Sequence, residues 1–279
     1  MTKATTGAAM GVQRRAAAFE FVRHPLRARP LTVVHVDTLS PRMRRITLAG
    51  AMDGFVSAAP DDHVKVLFPP PGSVRPALPV FGPQGPQFPP DVPKPVARDY
   101  TPRAFDVERG ELVLDFVIHG EGPASTWAAR AQPGDEIAVA GPRASRVVAR
   151  DFDAFLIAAD ETGLPAVARW LEWIPPATPV TLLAEVGSAA EQVELPVRAG
   201  LTLRWLYRGG AEPGTSGVLL AALRGLAPPA GKAWAWIACE SSQMRAARAF
   251  LIDERGWPRE HLCGAGYWKR GVADHDDEH

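Results

Sequence analysis

The sequence of 279 residues is poor in cysteine and carries no excess charge of either sign. Its two cysteines, Cys239 and Cys263, are too few and too far apart for a disulfide scaffold or a zinc ribbon, and they are typical of small buried residues in a reducing compartment. With 31 basic and 31 acidic residues the formal net charge is +0, whereas a protein that coats nucleic acid would show a basic excess. No nucleic-acid partner is therefore expected.

Long apolar runs are also missing. No stretch approaches the roughly 20 apolar residues that a membrane-spanning helix needs. The segment that follows Arg14 and Arg15 is short and contains Glu20, so it makes a poor signal-peptide core. We therefore expect a cytoplasmic protein with no membrane insertion.

What the sequence does contain, up to about residue 150, is a series of short strands separated by turns. The strand-like segments are Leu31–Val36, Arg44–Gly50, Val64–Pro69, Glu111–Gly120 and Asp135–Pro142. In the longest of them, alternate apolar residues from Leu112 to Ile118 share one face, and Asp115 and His119 lie on the other. Several short strands of this kind predict an antiparallel barrel.

A proline-rich segment, residues 69–95, interrupts this series. So many prolines cannot sit in the interior of a sheet, because proline has no N–H to donate to a neighbouring strand. We expect a long loop or an extended segment on the surface.

The pattern changes after about Asp151, where compact apolar strands alternate with segments of helical spacing. The strands are 155–160, 180–186, 201–207 and 233–240, and the helices are 164–174, 216–226 and 242–256. This alternation predicts a parallel sheet covered on both faces. The expected fold class is thus β + α/β, with an antiparallel barrel domain at residues 1–150 and a parallel-sheet α/β domain at residues 151–279.

The segment "RDYTPR" carries the first candidate site. Arg98, Tyr100 and Thr101 place a guanidinium, an aromatic ring and a hydroxyl within four residues, and Arg103 follows. A flavin offers a flat ring for the tyrosine, a ring nitrogen for the hydroxyl and a phosphate for the guanidinium. The alternative is a solvated strand with incidental arginines.

The second candidate is "HGEGPASTWAARAQPGD", which spans His119–Asp135. Gly120 and Gly122 precede a short predicted helix that Ser125 and Thr126 open. The exposed N–H groups at a helix start bind phosphate well, and the two hydroxyls would add donors. The alternative is an ordinary serine that caps the helix.

Two strand ends in the second half carry the remaining candidates. A buried strand runs into Asp160, Glu161 and Thr162, and another ends at Cys239 and Glu240. Ligands of open α/β sheets bind beyond the carboxyl ends of the strands, so both ends are expected to face one crevice. The usual GxGxxG fingerprint is absent, and the alternative for Thr162 is a simple helix cap.

Six motifs in one order give the sequence a family resemblance. They are "RDYTPR", "HGEGPASTWA", "GPRAS", "ADETGLPAVARWLE", "WAWIACESSQMRAARAFL" and "GYWKRG". In these motifs the chain resembles the siderophore-interacting proteins, which are flavin-dependent ferric-siderophore reductases of bacteria in the ferredoxin-reductase-like superfamily. The resemblance extends from about Arg29 to Gly271, and it implies a flavin-binding barrel followed by a domain that binds a nicotinamide nucleotide.

The resemblance implies FAD and NADPH, or NADH, as cofactors. The cofactor-binding positions that it assigns are Arg98, Tyr100 and Thr101 for the flavin, His119, Gly120, Gly122, Ala124, Ser125 and Thr126 for its phosphates, and Asp160, Glu161 and Thr162 on the nicotinamide side. Discrimination of NADPH requires cations for its 2′-phosphate, for which Arg208, Arg245 and Arg248 are candidates. The family more often has glycine where Cys239 stands, so that thiol is given no catalytic role.

The implied substrate is a ferric siderophore, which is an anionic chelate. The expected substrate-binding residues are Lys65, Lys269, Arg270 and, as a looser candidate, Arg143. The alternative for each of them is a solvated surface cation. No side chain is expected to be a catalytic residue or a metal ligand, because the flavin transfers the electrons. His275 and His279 are interpreted as part of a solvated terminus.

Two alternatives to a ferric-siderophore reductase stay open. The first is a flavoprotein reductase with another electron acceptor, although the lack of a cysteine cluster excludes a fused iron–sulfur domain within this sequence. The second is a siderophore-binding carrier that does not use flavin. We expect a monomer.

Overall fold

The computed structural model of the protein describes residues 18–120 and 122–273. The expectations that involve Arg14, Arg15, His275 and His279 concern residues outside this range. Among the residues that are described, no helix combines the length and the apolar character needed to cross a membrane.

The first part of the chain is mostly strands. Its elements are β1 (Phe19–Arg23), β2 (Ala28–Ser40), β3 (Met43–Gly50), β4 (Val64–Phe68), β5 (Val80–Gly82), β6 (Gly85–Gln87), β7 (Val96–Tyr100), β8 (Pro102–Asp106), β9 (Glu111–Val117), the helix α1 (Pro123–Arg130), β10 (Glu136–Ala140) and β11 (Ala144–Val148).

The second part alternates strands and helices. Its elements are β12 (Ala154–Ala159), α2 (Leu164–Trp173), β13 (Val180–Val186), β14 (Leu201–Tyr207), α3 (Val218–Arg224), β15 (Ala233–Glu240), α4 (Ser241–Ala249) and β16 (Leu262–Trp268). A 3₁₀ turn, Glu161–Gly163, joins β12 to α2, and a π-helical turn, Phe250–Glu254, extends α4.

Seven antiparallel strands form the sheet of the first part, in the order β7-β4-β10-β2-β3-β9-β8. The edge strands β7 and β8 are consecutive in the chain and are separated by Thr101 alone, so the sheet curls into a barrel. Leu112, Leu114 and Phe116 on β9 are fully buried inside it, as the alternation in that strand predicts. The predicted antiparallel barrel is confirmed.

Five parallel strands form the sheet of the second part, in the order β14-β13-β12-β15-β16. Trp170 of α2 packs with Trp236 on one face of this sheet, and α3 and α4 cover the other face around Leu156 and Ala158. Every residue of β12 and β15 is buried, which explains their unbroken apolar sequences. The predicted α/β arrangement is confirmed.

Several elements differ from the sequence prediction. The glycine-rich β16 has no alternating pattern that would predict a strand, and it pairs with β15 at the edge of the sheet. The proline-rich segment contains the small hairpin of β5 and β6, which forms its own two-stranded sheet outside the barrel. Helix α1 begins at Pro123 rather than at Thr126, because proline fits the first turn of a helix, where its missing N–H costs nothing.

Asp115 lies on the outer face of β9 yet is buried, because Arg45 of β3 covers it with two hydrogen bonds of 2.7 Å. We expect Asp115→Asn to lower the free energy of unfolding by about 2 kcal/mol, since it weakens a charge-assisted bidentate pair. Urea unfolding would measure the loss. The control is Glu111→Gln on the same strand, which affects a pair with the exposed Arg109 and should change little. Equal losses in the two variants would contradict this account.

Candidate cofactor and substrate site

An aromatic cluster of Phe68, Tyr100, Phe116 and Trp127 builds the barrel side of the site. The ring centroids of Tyr100 and Phe116 are 4.3 Å apart, and Trp127 lies 5.5 Å from Phe68 and 5.7 Å from Phe116. These four residues come from β7, β4, β9 and α1. Their packing therefore brings the segment around Tyr100 next to the helix that follows β9.

Arg98 and Tyr100 lie on the same face of β7. They pair with Val66 and Val64 of β4, and both of those valines are buried in the barrel core. Arg98 donates a 2.6 Å hydrogen bond to the carbonyl of its neighbour Ala97. Burial raises the pKa of the Tyr100 hydroxyl, so that group is a neutral donor at every physiological pH.

The second arginine of the same segment points to a different partner. Arg103 on β8 donates hydrogen bonds of 2.9 and 3.4 Å to Glu172 of α2. It therefore joins the barrel to the α/β part. Of the two arginines around Tyr100, Arg98 remains the one that suits a flavin phosphate.

The start of α1 is open. Its N-cap residue, Gly122, has no side chain to cap the helix, and among the described residues a Cβ placed on Gly120 or Gly122 would meet no atom within 4 Å. Gly120 has φ +50°, a conformation that suits glycine. Uncapped N–H groups beside open space fit the phosphates of FAD, whose ring the Arg98–Thr101 segment would hold.

Ser125 does not cap the helix. It is the third residue of α1 and is buried, and its hydroxyl accepts a 2.7 Å hydrogen bond from the N–H of His119. It thus holds the loop between β9 and α1. His119 and Thr126 are exposed at this end of the helix, whereas Ala124 is buried beneath it.

The carboxyl ends of the parallel strands meet at Asp160, directly after β12. Its carboxylate accepts hydrogen bonds from the Thr162 N–H (2.9 Å), the Thr162 hydroxyl (2.5 Å), the Glu240 N–H (3.2 Å) and the Trp268 indole N–H (2.8 Å). Asp160, not Thr162, therefore caps the turn that follows. Because the donors come from the ends of β12, β15 and β16, this one side chain orders the predicted nicotinamide edge.

Glu161 is held by Arg208 from the end of β14. The two side chains form hydrogen bonds of 2.6 and 2.7 Å, and Glu185 from the end of β13 lies 3.7 Å from the same guanidinium. Arg208 is buried between these carboxylates, so the suggestion that it binds a 2′-phosphate is wrong. Arg245 and Arg248 on α4 remain candidates.

Cys239 does not face the crevice. Its side chain is buried on the sheet face that α3 and α4 cover, and burial raises its thiol pKa well above the usual value, so it is an unreactive packing residue. Its neighbour Glu240 does reach the edge: its carboxylate caps α4 through the Ser242 and Gln243 N–H groups and accepts the Arg270 N–H at 3.3 Å. Glu240 therefore orders the loop that carries two of the predicted substrate cations.

The seam, meaning the contact between the barrel and the α/β part, includes residues that sequence reasoning missed. The Tyr267 hydroxyl of β16 interacts with the side chain of Thr101, and the indole N–H of Trp236 donates to Asp61 at 3.2 Å. Burial raises the pKa of Asp61. Tyr267 belongs to a motif that the sequence analysis noted, but nothing in its spacing indicates Thr101 as its partner.

The predicted substrate cations lie on three segments, namely β4, the turn between β10 and β11, and the chain that follows β16. Lys65 on β4 pairs with Ala140 of β10 in the sheet, and Arg143 follows three residues later. Lys65 also forms an ion pair with Asp99, with N–O distances of 2.8 and 3.1 Å. Lys269 and Arg270 follow β16 two and three residues after the tyrosine that reaches Thr101.

Two cavities lie elsewhere along the seam. The first, of about 320 Å³, is lined by residues 57–60, Arg150, Arg169, Glu172 and Trp173, and the second, of about 300 Å³, by Thr38, Leu39, Arg45, Val193 and Glu194. None of the predicted site residues lines either cavity.

Two family models match the chain. Residues 32–146 match the model of the siderophore-interacting FAD-binding domain, and residues 152–271 match that of the siderophore-interacting protein. The chain is similar to the NADPH-dependent ferric-chelate reductase of Escherichia coli K12, with 37% identity over 88% of this chain and 95% of that protein.

Two further relatives extend the comparison. Ferric vibriobactin reductase ViuB of Vibrio cholerae is 31% identical over 90% of this chain and 94% of its own. The crystal structure of a siderophore utilization protein from T. fusca superposes with a TM-score of 0.86 and 40% identity, covering 92% of this chain and 98% of that one.

The ionisation of Asp160 should be visible in the pH dependence of stability. Complete burial and the neighbouring Glu161 outweigh the four donors and raise its pKa from 3.8 to about 7. Since the folded state binds this proton more tightly than the unfolded state, ionisation of Asp160 costs stability as pH rises from about 4 to about 7, by at most about 1.4 kcal/mol per pH unit, and costs no more above that.

Urea unfolding of wild type and Asp160→Asn at pH 5, 6, 7 and 8 isolates this contribution. The wild type should lose stability relative to the variant up to about pH 7. A difference that stays constant from pH 5 to 7 would show that Asp160 is already ionised there.

Proposed function

Because this chain belongs to the siderophore-interacting protein family, we propose that it is an FAD-dependent reductase that uses NADPH to reduce Fe(III) in a bound ferric siderophore. The observation that carries the proposal is a convergence at one seam. The Arg98–Thr101 segment, the open start of α1 and the carboxyl edge of the parallel sheet come together there, since the turn after Asp160 packs against β9.

The barrel supplies the groups that hold FAD. Arg98 and the first turn of α1 bind the phosphates, with the exposed His119 and Thr126 beside them, and Ser125 keeps this loop in place from below. Tyr100 contacts the ring system and Thr101 offers it a hydroxyl. Bound FAD supplies the chemistry that the side chains lack, namely acceptance of a hydride and its release as single electrons.

The parallel sheet supplies the nucleotide site. Asp160 and Thr162 form the floor next to the nicotinamide, while Glu161 keeps this turn in position through Arg208. Arg245 or Arg248 on α4 provides positive charge for the 2′-phosphate of NADPH. One NADPH gives two electrons, so two Fe(III) ions are reduced and one proton is released.

The chelate needs a cationic surface and no iron ligand from the protein. Lys65, Arg143, Lys269 and Arg270 attract the anionic ferric chelate and hold it near the flavin. Fe(II) matches the hard oxygen donors of a siderophore poorly, so reduction releases the metal. The division at residues 1–150 and 151–279, a cytoplasmic location and a monomeric state belong to the same proposal.

An anaerobic assay tests this function. The purified protein should be yellow from bound flavin, and mixing it with NADPH and a ferric siderophore should give two equivalents of Fe(II) per NADPH, trapped by a chromogenic Fe(II) chelator. Colourless protein that still binds the chelate would identify a carrier. Yellow protein that oxidises NADPH only with other acceptors would identify a reductase of a different substrate.

The two arginines of the flavin segment should respond differently to substitution. Arg98→Ala should lose most of its FAD on purification, because it removes a bidentate phosphate partner. The control is Arg103→Ala, which breaks the contact with Glu172 and should retain FAD. The ratio of flavin to protein absorbance measures both. Full occupancy in Arg98→Ala would contradict the role of that arginine.

A further inference from the structure

A buried polar network of Asp62, Ser145 and His24 lies beside the predicted substrate cations and has no part in the function described so far. Asp62 and Ser145 are 3% and 1% exposed, so these two members are enclosed by the protein, while His24 is half-buried. It joins three segments that are distant in sequence: the residue after β1, the loop before β4 and the start of β11.

Ser145 has every hydrogen-bonding position filled. Its hydroxyl donates to Asp62 Oδ2 at 2.7 Å and lies 3.2 Å from the N–H of Ala58, which donates to it. His24 Nε2 is 2.7 Å from the hydroxyl oxygen of Ser145. Because the single proton of the hydroxyl goes to the carboxylate, His24 must be the donor, which assigns the proton to Nε2.

Asp62 accepts hydrogen bonds both from the loop that precedes β4 and from β11. Its Oδ2 accepts the Ser57 hydroxyl at 2.9 Å and the Ala59 N–H at 3.1 Å in addition to Ser145. The contacts with Ser57 and Ala59 are local to the loop. The contact with Ser145 spans 83 residues and is the one that crosses to β11.

This crossing contact lies between the segments that carry Lys65 and Arg143. Lys65 is three residues after Asp62, and Arg143 is two residues before Ser145. The N–H of His24 also donates to the carbonyl of Arg143 at 3.0 Å. Gly141 lies close to both segments: a Cβ at that position would be 3.2 Å from the Arg143 N and 3.8 Å from the His63 carbonyl oxygen.

We propose that Asp62, Ser145 and His24 are positioning residues that fix the spacing between Lys65 and Arg143 and thereby the affinity for the anionic ferric chelate. This inference rests on the proposed function. The network links Asp62, three residues before Lys65, to Ser145, two residues after Arg143, and the His24 N–H also holds the Arg143 carbonyl. Burying a carboxylate costs more folding free energy than apolar packing at the same place would. A role in fixing the local geometry accounts for its presence here.

The test compares two hydroxyl deletions that remove one donor each from the same carboxylate oxygen. Ser145→Ala cuts the link between the strands, while Ser57→Ala leaves that link intact. For a ferric tris-catecholate, Ser145→Ala should raise both KM and the Kd measured by tryptophan fluorescence roughly 3- to 10-fold, with kcat, the KM for NADPH and the flavin content unchanged. Ser57→Ala should leave the KM and Kd for the chelate unchanged.

Lys65→Met serves as the reference for the substrate site and should weaken chelate binding. If wild type reduces no ferric chelate, the proposed function is wrong. If wild type reduces the chelate and Lys65→Met binds it less tightly, but Ser145→Ala binds it like wild type or shifts no more than Ser57→Ala, the network has no positioning role and this inference alone is wrong.

A second variant covers the case in which Ser145→Ala does not fold. His24 is only half-buried, and His24→Ala removes one donor to Ser145 without touching the Asp62 carboxylate. It should raise the KM and Kd for the chelate in the same direction while the flavin content stays constant. An unchanged Kd in a folded His24→Ala protein would overturn the proposal.

Discussion

The carboxylate of Asp160 is the interaction on which the nucleotide edge depends. Ligands of open α/β sheets bind beyond the carboxyl ends of the strands, and one acceptor that receives hydrogen bonds from several strand ends holds them together there. Asp160 does so for β12, β15 and β16, through its own turn, the Glu240 N–H and the Trp268 indole. The same contacts leave it a buried charge beside Glu161, so the edge is ordered at an electrostatic cost that Arg208 partly offsets.

A second constraint comes from the aromatic cluster inside the barrel. It places Tyr100, the start of α1 and the end of β9 around one core, so the groups that suit FAD are fixed by packing rather than by loops. The chemistry of such a reductase resides in its cofactors, and in the proposed function the chain holds two nucleotides and a chelate at one seam.

More of the fold than of the candidate site could be predicted from the sequence. Alternation in Glu111–Val117 predicts a barrel strand, and the unbroken apolar runs in β12 and β15 predict a covered parallel sheet. Both predictions succeed because the apolar pattern of a strand records which of its faces are buried. The roles of Arg208 and Cys239 depend on which groups distant in sequence they contact, and local sequence does not contain that information. Motif resemblance assigns Arg98 and not Arg103 to the flavin, but nothing in the local sequence predicts that Arg103 pairs with Glu172 of α2.

The different environments of Arg98 and Arg103 within one short segment have a mechanical consequence. Arg103 forms hydrogen bonds with Glu172 on α2, and Arg98 faces the barrel core. Four residues lie between them, including Thr101, which joins the two edge strands. Any rotation of the α/β part against the barrel would pull on Arg103 and be transmitted along this nearly inextensible link. A movement of the α/β part on binding a nucleotide would therefore also displace Arg98 and alter its contact with the flavin.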